Sequence, residues 1–238
     1  MKTNTLYNYF KLIQKMILYN LRIIFANKFI WFLAGSILFY LGLSVIYVFS
    51  NDVSRMEELY GVFIFSGILL VFYPSVFGIQ NDQDARTIEI LFGIPNYRYK
   101  VWLVRIILIF VIAFLIMLVF TFLSSLLIVK FRFVNVTAQV MIPVLFLGTM
   151  AFMLSTVVRN GNGTAVIMIM FGLFFMILSD PLRKSQWNVF LNPYQPAYDV
   201  NETTWAIITL KNRIILITGT IIFLLAALFN LQKREKFM

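Results

Sequence analysis

Apolar residues run along this chain in six long blocks separated by short polar segments. The blocks are roughly Phe29–Phe49, Tyr60–Ile79, Val101–Val129, Val136–Val158, Thr164–Ser179 and Ile214–Leu231. A helix that crosses a bilayer needs about 20 predominantly apolar residues, and each block meets or approaches that length. The fifth is the shortest and suits a thin or tilted crossing. The pattern therefore predicts an all-α integral membrane protein with six transmembrane helices, forming a single membrane domain over residues 1–238.

A different periodicity precedes the first block. Within residues 5–26, Leu6, Phe10, Ile13, Ile17, Leu21 and Ile24 recur every three or four positions and fall on one helical face, while Lys11, Lys15 and Arg22 cluster opposite. This is the signature of an N-terminal amphipathic helix lying in the membrane interface, apolar side down and cations toward anionic headgroups. The first strongly apolar run begins near Phe29 and continues for a full crossing, which is too long for the apolar core of a signal peptide. Between the fifth and sixth blocks lies the longest connecting loop, residues 180–213. It carries Pro181, Pro193, Pro196, Trp187, Tyr194, Tyr198 and Trp205. Its aromatics suit the membrane–water boundary, and Glu202–Leu210 is a candidate for a short re-entrant helix.

Composition sharpens the membrane reading. The chain is 61% hydrophobic and 13% charged, with a mean hydropathy of +0.88. A soluble domain is about a quarter charged. The chain has no Cys and no His, which removes the thiolate metal sites, the commonest metal ligand and the commonest general base. An enzyme is accordingly not expected. The net charge of +10 would suggest nucleic acid on a soluble protein, but here the cations flank apolar runs and read as anchors and orientation signals. Eleven Met read as packing filler rather than a copper site, there being no Cys or His beside them.

Orientation follows from Lys and Arg. With the N-terminus inside, the inner segments hold Lys2, Lys11, Lys15, Arg22, Lys28, Arg86, Arg98, Lys100, Arg105, Arg159, Lys233, Arg234 and Lys236. The outer ones hold Arg55, Lys130, Arg132, Arg183, Lys184, Lys211 and Arg213. The bias places both termini in the cytoplasm, and a bacterial inner membrane is the expected location.

The first cytoplasmic loop is the most informative segment. From Asp84 it reads DARTIEILFGIP. Asn81 or Asp82 is suited to cap a helix start, with Asp82 and Asp84 at the positive end of its dipole. Asp82 and Arg86 have the spacing of a surface pair. Ala85, Ile88, Leu91 and Phe92 share a face, Gly93 ends the helix, and Pro95 prevents its resumption. A short, capped, two-sided helix over 81–95 is expected, fit to dock in a groove of a partner and to move the second and third crossings as that partner moves.

Arg86, Thr87, Ile88, Glu89, Ile90, Leu91 and Pro95, followed by Tyr97, Arg98, Tyr99 and Lys100, resemble the coupling-helix region of ABC-2 type permeases. Residues 145–172, LFLGTMAFMLSTVVRNGNGTAVIMIMFG, are similar to that family's fourth crossing, short turn and fifth crossing. Small residues Gly148, Thr149, Ala151, Ser155 and Thr156 would let the fourth helix pack closely. The resemblance implies a membrane-spanning subunit of an ATP-driven exporter with the type V exporter fold. It implies pairing with a second copy or a paralogous permease. Each membrane subunit would couple to a separate ATP-binding cassette subunit that carries ATP and Mg. On this reading Asp84, Arg86, Ile88, Glu89, Leu91 and Phe92 transmit force. The chain lacks the large extracytoplasmic domain of lipoprotein-extracting or macrolide pumps, which sets it apart from those members.

No phosphate-cradling Gly-rich loop ending in Lys-Ser/Thr occurs, so no cofactor is expected on this chain, and its energy would arrive from outside. No acidic residue falls within the six blocks as bounded above, and Arg105 is expected to snorkel from the start of the third. An ion-coupled carrier is disfavoured on that ground. Pro143, with Gly161 and Gly163 in the following turn, marks positions where the helices could bend. A non-transporting membrane anchor or force transducer of a cassette ATPase remains the alternative. The substrate stays open among lipid-linked glycan, peptide, drug and lipid.

Overall fold

The computed structural model describes residue 18 and residues 28–49, 56–84 and 98–232. Among these the chain is all-helical, and six helices are long and apolar enough to cross a membrane. They are α1 (Phe29–Phe49), α2 (Met56–Asp84), α3 (Val104–Leu127), α4 (Phe133–Val158), α5 (Gly161–Ser179) and α6 (Glu202–Asn230). A π-helical turn, Arg98–Leu103, leads into α3. Successive helices run in alternate directions. One end of the bundle, the near end, gathers the start of α1, α3 and α5 and the finish of α2, α4 and α6. The far end carries the 180–201 connection. The chain is thus a multi-pass membrane protein.

The bundle is built around α2 and α4. Their most apolar stretches are 61% and 67% buried, against 17% for α1 and for α5. Side chains without bulk allow the central helices to approach. Gly148 on α4 lies under the Phe110 ring and Val71, and Gly67 on α2 lies under Val144, so a Cβ at either would strike its neighbour. Thr149, Ala151, Ser155 and Thr156 are all buried along α4, which is the close packing expected of them. Hydroxyls also join helices in pairs. Thr121 on α3 and Thr137 on α4 share a hydrogen bond of 2.7 Å. Tyr40 on α1 bonds Ser124 Oγ at 2.9 Å and donates to the Phe120 carbonyl, also at 2.9 Å, with its ring stacked on Phe120. Thr121 and Thr137 also reach the Met117 and Phe133 carbonyls of their own helices, and the bonds between helices fix their register.

Helix starts shift by a few residues from the sequence reading, α2 to Met56 and α4 to Phe133, and three differences change it. First, α2 runs on to Asp84, so Asn81 and Asp82 belong to the end of a crossing and do not cap the start of a separate helix. Second, Glu202–Leu210 is not a distinct re-entrant helix. It is the opening of α6, which continues unbroken to Asn230. No Gly or Pro stands between Glu202 and Thr218, and the Asn201 side chain accepts from Thr204 N at the N-cap. Lys211 and Arg213 made this stretch look like loop, although a charged residue does not break a helix. Third, the turn between α4 and α5 is made by Arg159 in the left-handed region, φ 58°, followed by Asn160 as N-cap. Gly161 and Gly163 already lie within α5. Pro143 is buried inside a continuous α4.

Candidate functional site

At the near end, α2 delivers a carboxylate into the bundle. Asp82 sits in the last turn of α2, just before residues 85–97, and Arg105 is the second residue of α3, just past their return. Arg105 Nη1 donates to Asp82 Oδ2 at 2.7 Å, with side chains only 6% and 7% exposed respectively. The Arg105 guanidinium also lies 4.8 Å from the centre of the buried Trp102 ring. Trp102 is three residues earlier, on the same helical face, and within the π-helical turn. Arg105 therefore does not snorkel outward. Nor is Asp82 a surface group waiting for Arg86; it is bonded across the bundle to Arg105.

Other bonds tie this end to the remaining helices. Gln80 Oε1 accepts from the backbone N–H of Gly161 at the start of α5. A Cβ on Gly161 would collide with Phe77 and Gln80, so only glycine allows this approach. Asn230 Nδ2, at the close of α6, donates to the Thr156 carbonyl at 2.7 Å. The last turn of α2 is thus attached to α3 and α5, while α6 is attached to α4. The residues that frame the 85–97 connection are the ones joined by the ion pair.

The far end holds a second polar node. Arg213, 5% exposed, reaches four neutral acceptors. Nε donates to Gln139 Oε1 on α4 at 2.8 Å, and Nη2 donates to Tyr60 OH on α2 at 2.8 Å and to the Leu191 carbonyl at 3.2 Å. Nη1 donates to Asn212 Oδ1 at 3.0 Å. Asn212, fully buried, donates to the Gln186 and Asn188 carbonyls. Asn192 Nδ2 donates to the Glu57 carbonyl at 2.7 Å, and Trp205 Nε1 to the Pro193 carbonyl at 3.1 Å. The 180–201 connection is thereby fastened across the ends of α2, α4 and α6. Burial pushes the Tyr194 hydroxyl above the ordinary phenol value, with the nearby Arg213 charge pulling part of the way back. On the surface of the same connection, Lys184 donates to Asp199 at 2.6 Å. That bond and the Lys184 charge hold the Asp199 carboxyl below its usual value.

Of the residues singled out from sequence, Asp84 ends α2, exposed, with Gln80 Nε2 at 3.5 Å from its Oδ2. Arg86, Ile88, Glu89, Leu91 and Phe92 lie outside the described residues, as do Lys11, Lys15 and Arg22. The aromatics of the far connection divide in two. Trp187 and Tyr198 are exposed, whereas Trp205 is buried and Tyr194 packs edge-on against Tyr60. From sequence Asp82 reads as a cap and a surface partner of Arg86, and Arg213 as an orientation charge. The signal that finds both is the rule that an ionisable residue beside or inside an apolar run faces the bundle and takes a partner.

What the fold and these nodes define is a multi-pass membrane protein with six long apolar helices among the described residues and one buried polar node toward each end. No family model, no curated protein and no solved structure matches this chain.

Proposed function

We propose that this chain is the membrane-spanning permease subunit of an ATP-driven ABC exporter. It would couple ATP hydrolysis on a separate cassette subunit to outward movement of a substrate. The observation that carries the reading is the Asp82–Arg105 ion pair, taken with the coupling-helix resemblance of the residues it brackets. A lever must be joined stiffly to what it moves. The pair binds the end of α2 to the start of α3, so a push delivered between them would shift both crossings as one body. The fastening of α2 to α5 through Gln80 and Gly161 extends the same stiffness toward a third helix. Arg86, Ile88, Glu89, Leu91 and Phe92 are the proposed docking residues, with Ile88, Leu91 and Phe92 in apolar parts of the cassette groove and Arg86 and Glu89 setting orientation by charge. Both termini are proposed to be cytoplasmic, in a bacterial inner membrane, with a second copy or a paralogous permease completing the substrate path.

Reconstitution of the chain with its cassette ATPase tests this. Glu89→Lys is expected to leave membrane insertion and ATP hydrolysis in place while abolishing ATP-dependent substrate movement. Unchanged transport by that variant would overturn the coupling assignment. ATP hydrolysis with no solute movement in the unsubstituted complex would favour the non-transporting force transducer.

A further inference from the structure

The far end carries a cleft beside the Arg213 node, touching it through Gln186, whose carbonyl accepts from Asn212. It lies between the 184–187 segment and the first turns of α6, has a volume of about 380 Å³, and is lined by Lys184, Gln186, Trp187, Thr204, Ile207 and Lys211 among others. Two cations from different elements thus converge on one recess. Lys184 is held by Asp199. For Lys211, which is exposed, no carboxylate among the described residues stands at ion-pair distance.

The apolar surroundings of Lys211 are as informative as its charge. Ile207, Leu210, Ile214, Ile217, Ile221 and Leu225 are all exposed. At three- and four-residue spacing they form one continuous ridge down α6. Lys211 sits beside the top of that ridge, nine residues into the helix, which is about 13 Å along its axis. A lysine next to lipid-facing isoleucines extends its ammonium toward headgroup level. The cleft offers it a route, with the Thr204 hydroxyl and the Gln186 amide as further donors and the exposed Trp187 ring as an interfacial wall. A recess with two cations above and an apolar strip below is the complement of an anionic phospholipid.

We propose that this cleft binds the phosphate headgroup of an anionic phospholipid, gripped by Lys211 and Lys184, with an acyl chain laid along the exposed ridge of α6. The Lys184–Asp199 bond then competes with the lipid for Lys184. The site requires no cassette partner and stands or falls separately from the exporter reading.

Native mass spectrometry of the purified full chain, equilibrated with phosphatidylglycerol or phosphatidylcholine, tests the proposal. Phosphatidylglycerol should be retained in preference. Lys211→Ala and Lys184→Ala should each weaken retention about five-fold, as expected for one cation near a lipid surface, and Lys211→Arg should preserve it. Asp199→Asn should strengthen retention by freeing Lys184, a gain that does not depend on how well the alanine variants fold. Raised salt should reduce the preference. Equal retention of the two lipids, or retention indifferent to Lys211→Ala and Asp199→Asn, would overturn the site. Displacement of the lipid by inorganic phosphate alone would also overturn it, since the cleft would then hold a free anion rather than an amphiphile.

Discussion

Arg213 is bonded entirely to neutral groups: an amide, a phenol, a carbonyl and the side chain of its own neighbour. Its planar fork of donors matches their spread over α2, α4 and the 180–201 connection. Truncation would take the donor from Gln139 Oε1, Asn212 Oδ1 and the Leu191 carbonyl at the same time, while Tyr60 keeps its own bond to the Gln139 carbonyl, and each buried group left unpaired costs about 1–3 kcal/mol. Arg213→Ala is therefore expected to lower the thermal midpoint in detergent far more than Tyr60→Phe, which removes one hydroxyl at about 1 kcal/mol. Arg213→Lys should recover less than half of the loss, because a single ammonium cannot reach the same set. Equal midpoints for Arg213→Ala and Tyr60→Phe would show that the node does not act as a unit. Arg213 was legible as a charge bordering an apolar run. Its burial was not, because that depends on Tyr60 and Gln139, distant in sequence, arriving beside it.

At the scale of elements, the six crossings could be read directly from apolar length. The first block coincides with α1, since a run of apolar residues bounded by Lys28 and the polar stretch after Phe49 leaves little choice of ends. The errors lie where polar residues sit inside helices. Asn81, Asp82 and Asp84 extend α2, and Lys211, Asn212 and Arg213 lie within α6. Backbone hydrogen bonding continues through such residues: Asp82 and Arg213 find side-chain partners on other helices, while Asn81 and Asp84 find theirs within α2. The same reasoning gives the ion pair its test. Removing one member of a buried pair leaves the other charge uncompensated, at about 3–5 kcal/mol, whereas replacing both is far milder. Asp82→Leu and Arg105→Met should each destabilise the protein strongly, and the two together should be more stable than either alone. In a reconstituted complex the double variant should nonetheless transport poorly, because the tie between α2 and α3 is gone even though the fold is restored. Additive losses in the double-mutant cycle would mean that the two side chains do not interact.

For the whole molecule, the distribution of burial separates scaffold from surface. α2 and α4 form the packed centre, and α1, α5 and one ridge of α6 present apolar side chains outward. The two polar nodes fasten the ends of this bundle. The far node secures a cap across α2, α4 and α6, and the near node frames the segment proposed to receive the motor. The exporter reading has a single mechanical requirement: residues 85–97 must meet an ATPase on the cytoplasmic side. A photo-crosslinking amino acid at position 89, activated in intact cells making the full chain, measures this directly. The account predicts a covalent adduct with a cassette ATPase, together with protection of position 89 from membrane-impermeant reagents applied outside. Labelling of position 89 from the exterior, or crosslinking to lipid with no ATPase adduct, would contradict it.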